Sequence, residues 1–295
     1  MTERKIDKKG DQRTASSEWV NLLLGDARKY QKILHNQAEQ LKEEYADSTL
    51  SEIFDDMETR IISLAPMVIF DRTLQDLNIE ADDEVLAGLG LVMYAISTHD
   101  DAVDERPEDR LELAGLVYGG DITTTEGMRL LSQHASKDVV DTVVHYINLT
   151  NLAQTKIVEG LWRAPTDESA YLEAINTTRY WAEVGVQAAV AHAGRPDLIE
   201  FSDEFSILYG KTCQIFDDIR EIDDDLVNGY WSLPISLAHQ NGLDMNTSEG
   251  RNKSILRSQE IAADFINKAE KLCGDKFPSL RELIGYLNIG FSITY

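Results

Sequence analysis

Two short acidic stretches carry the residues best suited to chemistry. The first runs Ser97-Thr98-His99-Asp100-Asp101-Ala102-Val103-Asp104-Glu105, the second Gln214-Ile215-Phe216-Asp217-Asp218-Ile219-Arg220-Glu221-Ile222-Asp223-Asp224-Asp225. Each places carboxylates at i, i+1 and i+4: Asp100, Asp101 and Asp104, then Asp217, Asp218 and Glu221. On a helix, positions i and i+4 share a face, and i+1 lies about 100° round. Like charges one turn apart cost a helix roughly a few tenths of a kcal/mol per pair. A single cluster of this kind is more often a solvated face. Two of the same geometry, each closing an apolar segment, point to a shared site in which facing carboxylates hold hard metal ions through oxygen.

Helices must present these clusters, and the apolar spacing supplies them. A long helix is predicted from Ala81-Asp82-Asp83-Glu84, whose acidic first turn suits the helix dipole. It is apolar almost all round from Val85 to Ile96, which marks it as central in the core. Asp100 and its neighbours fall at its C-terminal end, where the dipole disfavours carboxylates. A second helix, Phe201 to Glu221, carries the other cluster. Helical spacing also covers the chain from Trp19, a segment through Ile53 and Ile62 that Pro66 interrupts, and a segment after Pro107 punctuated by Gly119-Gly120-Asp121. Val139 to Trp162, Glu168 to Ala193 and shorter stretches from Ser236, Ser258 and Ser279 complete the set. Strand alternation is nearly absent, and the six prolines fall at segment ends. The expected architecture is all-α: a single-domain bundle of roughly ten or more helices over residues 19–295, behind a flexible tail over residues 1–18.

With 295 residues, 43% of them hydrophobic, the chain can bury a large core. Its 52 acidic and 28 basic residues leave a net charge of −24. That excess argues against nonspecific binding of nucleic acid or anionic lipid, since both need cationic surface. It is compatible with an anionic small ligand, because bound metal ions invert the local field. Only Cys213 and Cys273 are present, so no disulfide framework is implied, and no His or Cys cluster has zinc spacing. No apolar run reaches the ~20 residues of a membrane span, and the start carries no signal-peptide core. A cytoplasmic protein without a transmembrane segment is expected.

Three aspartates at DDxxD spacing near one third of the chain, with a second acidic cluster near three quarters, resemble the trans-isoprenyl diphosphate synthase family. The resemblance spans roughly Val85 to Ala238. Gly120-Asp121 is similar to a Gly-Asp that the family often has before its next helix. Gly210-Lys211-Thr212-Cys213-Gln214-Ile215-Phe216-Asp217-Asp218-Ile219-Arg220-Glu221 resembles the second motif, with Glu in the last place instead of Asp. Asp225-Leu226-Val227-Asn228-Gly229-Tyr230-Trp231-Ser232-Leu233-Pro234 resembles the stretch that usually ends Gly-Lys-Thr-Leu-Pro. The resemblance implies the isoprenoid synthase fold, with a central pocket and two facing acidic motifs. It implies Mg²⁺ as cofactor, three ions with the diphosphate, held by Asp100, Asp101, Asp104, Asp217, Asp218 and Glu221. A prenyl diphosphate is the implied substrate and a homodimer the implied assembly. An allylic diphosphate must lose a polyanion to form a carbocation, and Mg²⁺ neutralises that leaving group. The apolar helix before Asp100 would line the pocket and keep water from the cation.

Elongating members of the family bind a second diphosphate through basic groups, and four of these are missing. A Gly-Gly-Lys-Arg-type stretch gives way to Arg60-Ile61-Ile62-Ser63-Leu64-Ala65-Pro66. Of two adjacent arginines after the first motif only Arg110 is in place, preceded by Asp109. Thr177-Thr178 replace a mid-chain Lys-Thr, with Arg179 adjacent, and Tyr230 follows Gly229 where Lys is usual. Phosphate sites need Arg or Lys. The pattern is therefore similar to the family's terpene synthase-like members, which ionise one substrate and cyclise it or quench it with water. Arg110, Arg179 and Lys211 remain as candidate catalytic cations, and Gln214 and Tyr230 as substrate-side candidates. Ala95 and Ile96, one turn before the first motif, leave room for a C15 or longer chain. Tyr94, Phe70, Trp181, Phe216 and Trp231 could offer ring faces to a cation, although aromatics at helical spacing are more often plain core. The favoured expectation is a Mg²⁺-dependent, terpene synthase-like enzyme. One alternative is a short-chain trans-prenyltransferase that condenses an allylic diphosphate with isopentenyl diphosphate. The other is a non-catalytic partner subunit of a prenyl diphosphate synthase, against which the retention of both motifs argues.

Overall fold

A computed structural model gives the fold and describes residues 27–46, 53–55, 57, 60–104, 109–156 and 167–293. The tail expected over residues 1–18 lies outside the described residues. Among those described there are twelve α-helices and no strand. They are α1 (Arg28–Glu44), α2 (Ile61–Asp76), α3 (Asp83–Asp104), α4 (Arg110–His134), α5 (Lys137–Lys156), α6 (Glu168–Ala174), α7 (Tyr180–His192), α8 (Ile199–Arg220), α9 (Ile222–Asn228), α10 (Leu233–Gln240), α11 (Ser248–Cys273) and α12 (Pro278–Ile293). The chain divides into two compact units: Met1–His145 with Val184–Ile199, and Tyr146–Glu183 with Glu200–Tyr295.

In the first unit α3 is the hub. Every residue from Val85 to Ile96 is buried, as a helix apolar all round requires. Helices α1, α2 and α4 pack against it. Gly90 lies where a Cβ would come within 2.6 Å of both Leu34 on α1 and Met67 on α2. Gly88 and Gly127 set the approach of α3 to α4: a Cβ on Gly127 would stand 2.8 Å from the Gly88 carbonyl oxygen and 2.8 Å from Val92.

The break expected at Gly119-Gly120 does not occur, because α4 is continuous from Arg110 to His134. Gly119 packs on Ile53 and Gly120 on His99, so both are contact points rather than punctuation. Helix α2 likewise runs through Pro66. The missing N–H costs it one hydrogen bond, but Gly185 packs directly on the Pro66 backbone, where a Cβ would meet the Pro66 oxygen at 2.6 Å. The reverse happens after Glu168, where one long helix was expected. A 3₁₀ turn over Ile175–Arg179 separates α6 from α7. Asn176 donates to Glu173, and the Thr177 hydroxyl donates to the Ala174 carbonyl at 3.0 Å. Such local bonds compete with regular helix.

In the second unit α8 is surrounded. Ile215 and Ile219 pack with Tyr171 of α6, Leu233 and Ile235 of α10, and Ile261 of α11. Helix α9 follows α8 at once and stops at Gly229, whose φ of 73° is left-handed. Leu233-Pro234 opens α10, with proline in the first turn. No described helix is long and apolar enough to cross a membrane.

The α3–α4 approach yields a test. Helix propensity alone favours Gly127→Ala by about 1 kcal/mol. The added Cβ meets the backbone of Gly88, which cannot rotate aside, so we expect a net loss of about 1–3 kcal/mol in urea unfolding.

Candidate functional site

The second acidic motif is split by its own helix. Asp218 faces inward and is 4% exposed. Its Oδ2 accepts from the Tyr171 hydroxyl at 2.5 Å and the Leu233 N–H at 2.9 Å, and its Oδ1 accepts from Gln214 Nε2 at 3.0 Å. Leu233 is the first residue of α10, so Asp218 satisfies one of that helix's orphan N–H groups. Burial pushes Asp218 up to about 7, while its three donors pull the other way. Asp217 and Glu221 share the outer face. Their side chains are 48% and 47% exposed, and both accept from Arg220 Nη2, at 2.6 and 2.5 Å. Desolvation by its surroundings pushes Asp217 up to about 6 against the pull of Arg220, although the side chain itself is half exposed. Asp225 is also raised to about 6, chiefly by burial. Arg251 pairs with Asp223 at 2.6 Å, so part of the acidic run is neutralised from α11.

Two of the expected cations flank one helix contact in this unit. Gly210 on α8 sits where a Cβ would stand 2.8 Å from Arg179 Cα, so the helix approaches the backbone of the 3₁₀ turn closely. The next residue, Lys211, is half-buried and packs over the Phe265 ring, 5.4 Å from its centroid. Desolvation lowers the Lys211 pKa, Glu173 opposes this, and repulsion from Lys268 and Arg179 adds to it. Arg179 stacks over Tyr180, and its Nε lies 3.3 Å from the buried carboxylate of Glu183.

Sequence reasoning missed Glu183. It is 1% exposed, accepts from the Tyr146 hydroxyl at 3.1 Å and is hydrogen-bonded to Asp203. A bond between two carboxyl groups needs one shared proton. Burial and that bond raise Glu183 to about 7, while Arg179 and Tyr146 act in the opposite sense. The only sequence signal was an acidic residue one turn after Arg179 inside an apolar helix.

The first motif ends α3. Arg60, the N-cap residue of α2, places Nη1 on Asp101 Oδ2 at 2.5 Å and on Ser97 Oγ at 2.7 Å. Its guanidinium also lies over the Tyr94 ring, 5.2 Å from the centroid. Tyr94, Ser97 and Asp101 are spaced i, i+3 and i+7, so one face of α3 receives Arg60. On another face His99 contacts Gly120, with Nε2 3.2 Å from the Val117 oxygen and 3.4 Å from Asp121. Asp100 is half-buried beside it. Asp104 is the last residue of α3, and its side chain lies outside the described residues.

The other expected residues are placed as follows. Ala95 and Ile96 are buried in α3. Arg110 is exposed at the start of α4, whose N-cap is Asp109, accepting from the Leu111 N–H at 2.9 Å. Tyr230 is 40% exposed, with its backbone N–H closing α9 onto Asp225. The aromatics pack in edge contacts, Phe70 with His192, Trp181 with Tyr209 and Trp231 with His239. Tyr94 and Phe216 are buried.

No protein-family model and no curated protein matches the chain. Solved structures do. A geranylgeranyl pyrophosphate synthetase from the archaeon Geoglobus acetivorans matches with a TM-score of 0.68 at 18% identity, over 88% of this chain and 98% of its own. A decaprenyl diphosphate synthase from Rhodobacter capsulatus matches with a TM-score of 0.68 at 13% identity, over 92% and 98%. The chain has the fold of the prenyl diphosphate synthases. A polyprenyl synthase from Caulobacter crescentus, complexed with calcium and isoprenyl diphosphate, shares that fold with a TM-score of 0.65 at 17% identity, over 91% and 97%. The all-α isoprenoid synthase architecture expected from the sequence is thus the observed one.

Among the described residues no group of three or more His, Cys, Asp or Glu is gathered as for a metal ion. The donors still suit a hard cation, because every candidate ligand offers carboxylate oxygen. Asp217 and Glu221 also converge on a positive charge already, that of Arg220.

Two outcomes follow for the protein without metal. Asp218→Ala should cost about 2–4 kcal/mol in urea unfolding, because three donors lose their acceptor in the interior. Asp217→Ala and Glu221→Ala, at half-exposed positions, should each cost less than about 1 kcal/mol. For Glu183 the folded pKa, about 7, lies above its ordinary 4.5. Its contribution is full below the ordinary value and is lost as pH rises through the folded one. Wild-type stability should therefore fall from pH ~5 to ~7.5, and Glu183→Gln should flatten that slope.

Proposed function

We propose that the chain is a Mg²⁺-dependent isoprenoid synthase that ionises an allylic prenyl diphosphate and condenses it with isopentenyl diphosphate. The observation that carries this is on α8: Gly210, next to Lys211, packs on the Arg179 backbone in its middle, and Asp217 and Glu221 share an outer face at its end. Arg179 and Lys211 would bind and orient the anionic head of the substrate. Asp100, Asp104, Asp217 and Glu221 would hold Mg²⁺, with Asp101 and Asp218 keeping their helices in place. Bound Mg²⁺ would neutralise the departing diphosphate. Gln214 would fix Asp218, and the buried apolar face of α3 at Ala95 and Ile96 would exclude water from the prenyl chain.

Condensation is supported by the matched structures, whose names are those of chain-elongating synthases. A second, single-substrate reading of terpene synthase type keeps support from two observations. Asp109 beside Arg110 serves as an N-cap, where a second arginine was expected. The Thr177 hydroxyl donates to a backbone carbonyl within its own turn. We also take residues 19–295 as one functional domain, three Mg²⁺ ions per diphosphate, a cytoplasmic location and a homodimer. Leu111, Val117 and Tyr118 on α4 and Val144 on α5 are exposed apolar residues that suit a second copy.

Labelled geranyl, farnesyl or geranylgeranyl diphosphate with Mg²⁺, with and without isopentenyl diphosphate, separates the readings. We expect a longer diphosphate only when isopentenyl diphosphate is present. A hydrocarbon or alcohol formed without it would establish the single-substrate reading instead. Asp100→Ala and Asp217→Ala should lower turnover by about 10²-fold or more while the protein stays folded. No turnover with any substrate would point to a non-catalytic partner subunit.

A further inference from the structure

Arg220 lies between the second and third carboxylates of the second motif, and neither the expected metal set nor the expected diphosphate set includes it. It lies at i+3 from Asp217 and i−1 from Glu221 in the last turn of α8. One nitrogen, Nη2, bonds both carboxylates, through Asp217 Oδ1 and Glu221 Oε1. These are the two outward-facing carboxylates of the motif, and an ion held there would use their oxygens. The arginine side chain is 38% exposed, so it can swing away without opening the core. A guanidinium and a divalent ion cannot share these oxygens without strong repulsion.

We infer that Arg220 is a built-in counter-ion that holds the second motif closed, so that a divalent ion enters fully only together with an anion that takes the guanidinium over. This deepens the proposed function and rests on it for the identity of the site. Metal and diphosphate should then assist each other's binding, and by reciprocity each should tighten the other by the same factor. Removing the arginine should make metal binding less dependent on the anion.

The probe is Mn²⁺, followed by electron paramagnetic resonance of the free ion and by titration calorimetry, with and without inorganic diphosphate. The proteins are wild type, Arg220→Gln and Arg220→Lys, with folding checked by circular dichroism. Without diphosphate, Arg220→Gln should bind Mn²⁺ about fivefold to tenfold more tightly than wild type, and Arg220→Lys should fall between them. Diphosphate should tighten Mn²⁺ binding more in wild type than in Arg220→Gln. Equal affinities in wild type and Arg220→Gln without diphosphate would overturn the counter-ion role and leave the metal site standing. If diphosphate brings no Mn²⁺ onto any of the three proteins, the metal-site reading fails and the counter-ion role fails with it.

Discussion

Successive residues on an α-helix point about 100° apart, and in the second acidic motif that angle falls across the boundary between core and solvent. Asp218 goes in, where it accepts from Tyr171, Gln214 and Leu233 and ties α6, α8 and the first turn of α10 together. Asp217 and Glu221 stay out. The last turn of α8 cannot rotate without pulling Asp218 from three donors. The spacing of the outward pair is therefore set by the core and not by the pair's own repulsion. The first motif divides in a similar way. Asp101 is taken by Arg60 on a face that also carries Ser97 and Tyr94, while His99 is seated against Gly120 on another. In both motifs the middle aspartate fastens the helix to its surroundings.

Much of this was legible in the sequence, and the parts that were not share a cause. The 3.6-residue apolar period gave the all-α architecture, the central α3 and the placement of both motifs near helix C-termini. It misplaced breaks wherever local preference and packing disagree. Pro66, Gly119 and Gly120 read as interruptions, yet each is a point where another element comes close. Spacing showed that Asp217 and Asp218 differ by about 100°. It could not show which one is buried, because Ile215, Phe216, Ile219 and Ile222 surround the motif on both sides. Arg60 was read only as the start of a stretch that lacks the family's basic cluster. Its partners Ser97 and Asp101 lie 37 and 41 residues further along the chain. Glu183 was one of 52 acidic residues until the fold brought Tyr146, Arg179 and Asp203 around it.

A chain with a net charge of −24 has few cations to place, so their positions carry weight. Several described arginines and lysines pair on the surface with a carboxylate three or four residues away, as Arg129 does with Glu126 and Lys253 with Glu249. Such pairs contribute little. Arg60, Arg220, Arg179 and Lys211 differ. Arg60 and Arg220 sit on the acidic motifs themselves. Arg179 and Lys211 are partly buried on the two sides of the Gly210 contact, and the charge of Arg179 adds to the lowering of the Lys211 pKa.

That last arrangement is costly as pure architecture. Desolvation already lowers the Lys211 pKa, and the neighbouring cations lower it further, with Glu173 opposing them. Arg179 is compensated by Glu183, but that carboxyl is itself raised to about 7, so the compensation is partial near neutral pH. Neutral side chains of similar size would pack there at lower cost. Under the proposed function, these two under-neutralised cations, on and beside the helix whose end carries the outward carboxylates, would receive a multivalent anion that arrives and leaves. A diphosphate has that property.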